Sequence, residues 1–226
     1  EGQIIRGSCT GSPPCQAGVD GALAEMRRLE GAAGGARGSS AAAAVDDDAA
    51  FEDAMERVRV RLAAALGLPK GTGVFLSASG TDAEYIPLAI AQQLYPGAPI
   101  RSVLAADGET GSGGTNACKG KYFDKRVPLA GAEEGDEDRE VGATLGGFPE
   151  IAQLCVPARE ADGAIRDVRA AVDSHASAWG ADGADGGEAP VWVMRQVLGT
   201  KTGFSTPRID AAEGERVIAV ADLCQM

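Results

Sequence analysis

Three short stretches of this 226-residue chain combine residue types and spacings that could do chemistry. The first is Ser79-Gly80-Thr81-Asp82-Ala83-Glu84. Gly80 lets the backbone approach an anion closely, and Thr81 opens a helix whose free N–H groups favour a phosphate. The same residues also read as a reciprocal cap, Thr81 with Glu84, that binds nothing. The second stretch, Gly108–Thr115, has the glycine spacing of a nucleotide-binding P-loop. Gly114 stands where the lysine must reach the phosphates, and no G-x-G-x-x-G follows a strand, so both nucleotide readings fail. The third is Asp222, delivered at the end of the apolar run Val217–Ala221 and followed by Gln225. A carboxylate buried there needs a partner, either an Arg or Lys or a protonated ring nitrogen of a bound ligand.

Other chemistries lose their residues. The single His175 lies in DSHASAW, a helix-like stretch, so neither a His-dependent nucleophile nor a His-rich zinc site is available. Five cysteines (Cys9, Cys15, Cys118, Cys155 and Cys224) form an odd set without a C-x-x-C pair, as expected of free thiols in a reducing, cytoplasmic setting. Lys and Arg number 21 against 33 Asp and Glu, a net charge of -12, which argues against nucleic acid as a partner. No window approaches 18 consecutive apolar residues, and the first residues, EGQIIRGSCTGS, lack the marks of a signal peptide. Neither a membrane span nor a secretory leader is expected.

The elements that must position these residues follow from periodicity. The 44% hydrophobic content is inflated by 42 Ala, so the larger apolar residues suffice for one core. Residues 1–44 read as a flexible segment with a short helix near 21–30. A lead-in helix over 45–69 carries the stripe Phe51, Met55, Val58, Leu62 and Leu66, is stopped by Gly67 and Pro69, and should pack on something large. Beyond it, Val74–Leu76 reads as a strand, 82–95 as a helix kinked at Pro87, and Ile100–Ala106 as a strand. A strand near 151–158, a helix over 167–179, and the runs 191–194 and 217–220, expected to be central strands covered on both faces, complete an α/β pattern. The fold expected is an open, mostly parallel sheet with helices on both faces. Its ligand rim would be the loops after Leu76, Ala106, Leu198 and Ala221.

Taken in order, SGTDAE at 79–84, ETGSG at 109–113, TKTGFSTP at 200–207 and ADLCQ at 221–225 resemble the large domain of fold-type I pyridoxal-phosphate (PLP) enzymes, the aspartate aminotransferase superfamily. The match covers 70–226 and looks like an uncharacterised branch. It implies that Ser79, Gly80 and Thr81 hold the cofactor phosphate and that Asp222 is the catalytic partner of the pyridinium nitrogen. Gln225 would lie beside the ring, Thr110 in the loop that covers it, and Lys201 on the rim. The lysine that carries PLP in such enzymes lies 25–35 residues beyond the strand-end Asp, whereas this sequence has four residues there. The resemblance therefore implies a partial, truncated large domain, inactive alone. The complete protein would be a homodimeric transferase or lyase acting on an amino-acid-like amine, with no nucleic-acid or membrane partner. The alternatives are a non-catalytic anion- or PLP-binding α/β protein, or an interaction domain in which SGTDAE is only a cap.

Overall fold

A computed structural model of the chain describes residues 15–34, 42–107, 109, 111–125, 140–181, 188–197 and 214–222. Two compact units emerge, Glu1–Leu76 and Ser77–Met226.

The first unit contains two helices, α1 (Gln16–Gly34) and α2 (Ala42–Ala65). Arg57 of α2 donates to Glu25 of α1 at 2.8 Å, and Arg28 donates to the same carboxylate. Hydrogen bonds from Arg28 first, then Arg57, hold the Glu25 carboxyl below its ordinary range. The group is open to water, so the pair orients the helices more than it stabilises them. α2 ends as expected at Gly67. Leu68 N–H bonds Ala63 O and Gly67 N–H bonds Ala64 O, with Gly67 at φ 60, a left-handed closure that glycine adopts without a steric penalty. The stripe on α2 is less covered than its pattern implied: Phe51 and Leu66 remain 59% and 68% exposed.

The second unit is built on four strands: β1 (Ile100–Asp107), β2 (Ala152–Pro157), β3 (Val191–Val197) and β4 (Arg216–Asp222). They lie in the order β2-β1-β3-β4, and every pairing is parallel. Because successive side chains alternate between faces, β1 sends Val103 and Ala105 one way and Ile100 the other. The first face, with Leu154, Val156, Trp192 and Met194, packs on Val168 and Val172 of α6 (Val168–Ala181). The second, with Val191 and Val193, packs on Leu88 and Ala91 of α4 (Tyr85–Leu94). Helices on both faces explain why β3 opens with the unbroken apolar run Val191–Met194. No helix among the described residues is long and apolar enough to cross a membrane.

Three expectations change. Val74–Leu76 forms no strand, and Phe75 is 67% exposed. The expected helix over 82–95 is divided at Glu84 into α3 (Gly80–Ala83) and α4. Pro87 cannot donate to residue 83 and its ring would clash there. Placed instead in the first turn of α4, its missing N–H costs nothing. Finally, β4 is an edge strand among the described residues rather than a central one, with Ala219 and Ala221 exposed.

Candidate active site at the carboxyl edge of the sheet

β1 leads into β2 on one side, and the return through α6 crosses to β3 on the other. In an open α/β sheet such a reversal opens a crevice beyond the carboxyl ends of the strands. Here that edge carries the ends of β1, β3 and β4.

The end of β1 is distorted. Ala106 has φ 60, the one non-glycine residue with positive φ among those described, and the β1–β2 register shifts between Ala105 and Asp107. A left-handed alanine is strained, and such strain accumulates at functional sites. Asp107 follows and accepts a hydrogen bond from Thr115 Oγ1 at 3.3 Å. Thr115 belongs to α5 (Gly114–Ala117), the short helical turn after β1.

The Ser79–Glu84 turn reaches this edge sideways, not from a strand of its own. Ser79 is the cap of α3: its hydroxyl accepts from Asp82 N–H at 3.1 Å and donates to Asp82 Oδ2 at 2.6 Å. The cap is therefore Ser79 with Asp82, and the alternative box of Thr81 with Glu84 does not form. Asp82 is buried, and its Oδ1 has no hydrogen-bond partner. Thr81 leans on the turn after β1. A Cβ placed on Gly113 would meet Thr81 Cγ2 at 3.0 Å and Phe123 Cδ2 at 2.9 Å, and one on Gly111 would meet Thr81 Oγ1 at 3.8 Å. Only a glycine at 113 lets the two turns close to this distance.

Asp222 pairs in register with Val197 and so ends β4 at the same edge. Only β3 separates β4 from β1, a spacing of about 10 Å between their axes. The backbone thus brings Ser79, Gly80, Thr81 and Asp222 to one edge of one sheet. The Asp222 side chain, Thr110, Lys201, Gln225 and the TKTGFSTP stretch lie outside the described residues.

Beneath the edge is a polar group that sequence reading overlooked. Arg195, in the middle of β3, is 0% exposed. Its Nε donates to Glu84 Oε2, its Nη2 to Glu84 O at 2.9 Å and its Nη1 to Ser102 Oγ at 2.8 Å. Ser102 in turn donates to Cys118 O at 2.6 Å, and the Cys118 thiol to Glu84 Oε2 at 3.4 Å. Burial pushes the Cys118 thiol well above its ordinary range, so it is a proton-holding donor rather than a nucleophile. The available signal was a guanidinium directly after Val-Trp-Val-Met, since a charge inside a buried strand must be paired. Nearby, Tyr85 donates to Lys121 O at 2.7 Å, and burial raises its phenol to about 12. His175 is exposed on α6 with Nδ1 3.1 Å from Ala171 O, and no cluster of metal-ligating residues occurs among the described residues.

Compared with protein-family models, curated proteins and solved structures, the chain matches none of them.

Proposed function

We propose that the carboxyl edge of this sheet is a pyridoxal-phosphate site, and that the chain is part of a PLP-dependent transferase or lyase acting on an amino-acid-like amine. The observation that carries this reading is the contact of Thr81 with the Gly111–Gly113 turn, which brings the Ser-Gly-Thr turn to the edge where β4 ends in Asp222.

The donor chemistry fits a phosphate. The N–H groups of Gly80 and Thr81 open α3 and have no partner within it. A Cβ on Gly80 would meet nothing within 4 Å, so the backbone there is open to an approaching oxygen. Ser79 contributes by shaping the turn, since its hydroxyl is engaged by Asp82. At the other end of the site, Asp222 would hold the proton on the ring nitrogen through its negative charge. When bound, the cofactor supplies an electron sink for a substrate carbanion.

A calorimetric titration with pyridoxamine 5'-phosphate, which forms no imine with surface lysines, tests the proposal. Binding at least tenfold tighter than that of pyridoxamine, and weakened by Asp222→Asn, is the expected result. Equal or absent binding of both would remove the reading. A second reading, a non-catalytic anion-binding protein, rests on the open backbone at Gly80 alone and asks nothing of Asp222. It would show inorganic phosphate competing while Asp222→Asn has no effect.

A further inference from the structure

Two turns meet at the candidate site: the 79–84 turn comes from no strand of its own, and the 111–118 turn follows the end of β1. α3 ends at Glu84, and α5 ends at Cys118. Both end residues belong to the hydrogen-bonded ring around Arg195. The guanidinium holds the carboxylate and the carbonyl of Glu84, reaches Cys118 O through Ser102, and the Cys118 thiol closes the ring on Glu84. The anchors are the middles of β3 and β1, the two strands with neighbours on both sides.

A buried ion pair is a poor device for stability, because desolvation consumes most of its attraction and a well-packed apolar pair does as well. What it supplies is direction, since a planar guanidinium donates only along fixed axes. We propose that Arg195 is a positioning residue that sets the spacing between the 79–84 turn and the 111–118 turn. The ring itself stands on the structure alone; the purpose assigned to the spacing, holding a phosphate ligand, rests on the function proposed above.

The test separates position from stability. Arg195→Met with Glu84→Met removes both charges and keeps an apolar core, so cooperative unfolding should persist. Hydrogen–deuterium exchange should then run at least tenfold faster at amides 80–85 and 114–121 than in the parent chain, with β1 and β3 amides unchanged. Affinity for pyridoxamine 5'-phosphate should fall at least tenfold. Ser102→Ala is the second variant, a small change that should fold regardless. It removes the hydroxyl that joins Arg195 Nη1 to Cys118 O while both bonds from Arg195 to Glu84 remain, and should speed exchange at 114–121 while leaving 80–85 as it was. Parent-like exchange at both turns in the double variant, or in Ser102→Ala if the double variant does not fold, overturns the proposal. Loosened turns in a chain whose parent never bound the ligand would support the ring and reject the cofactor reading.

Discussion

Arg195 grips Glu84 twice, through Nε on its carboxylate and Nη2 on its main-chain carbonyl, across 111 residues of sequence. The first bond neutralises a charge that would otherwise be stranded inside the sheet, and the second fixes the junction where α3 gives way to α4. Glu84→Ala leaves the guanidinium buried without its counter-charge, and should lower the free energy of unfolding by about 3–5 kcal/mol. Urea denaturation measures it. A loss below about 1 kcal/mol would mean that the guanidinium finds other compensation.

The close approach of Thr81 to the turn after β1 makes a paired prediction. Gly113→Ala places a methyl against Phe123 and Thr81 at about 3 Å and should cost about 1–3 kcal/mol, as overpacking does. Gly111→Ala meets Thr81 Oγ1 at 3.8 Å, an ordinary contact, and should be close to neutral. Thermal melts of the two variants side by side check the contrast; equal effects would show that the turns do not touch as described.

Ala106 holds φ 60 at the end of β1. A left-handed alanine is strained by roughly 1–2 kcal/mol, and glycine removes that strain while adding freedom to the unfolded chain. Ala106→Gly should therefore raise stability by up to about 1 kcal/mol, a rare gain from glycine in a strand. A fall in the melting temperature would refute the strained geometry.

Alkaline pH should weaken the fold. Burial raises Tyr85 from 10.0 to about 12 and the Cys118 thiol well above 9.0. Above those ordinary values the unfolded chain releases protons that the folded chain keeps, so the unfolded state gains. Their stabilisation is whole below about pH 9 and is lost progressively above it, the Tyr85 part, about 2 kcal/mol, between pH 10 and about 12. Melting curves from pH 8 to 11 should fall more steeply at the top of the range for the parent chain than for Tyr85→Phe. Identical slopes would show that the phenol is not buried.

Much of the local structure was legible in the residues. Gly67 marked the end of α2, and the apolar run Val191–Met194 marked β3, because caps and apolar runs act over a few residues. Pro87 signalled a disturbed helix, yet the break falls at Glu84, since the chain moves the proline into a first turn rather than bending around it. The Ser79–Asp82 cap was hidden behind an equally plausible pairing of Thr81 with Glu84. Nothing local told which would form, because Glu84 is claimed by a residue far along the chain.

Composition and spacing were enough to establish an α/β chain with parallel strands, because those properties follow from backbone sterics and side-chain period. Tertiary structure alone placed β1 between β2 and β3 and, among the described residues, put β4 at an edge. It also joined Arg195 to Glu84 and pressed Thr81 against Gly113. These contacts depend on which strand edges remain free and which buried charges meet once distant segments close on one another, and no short window of sequence contains both partners.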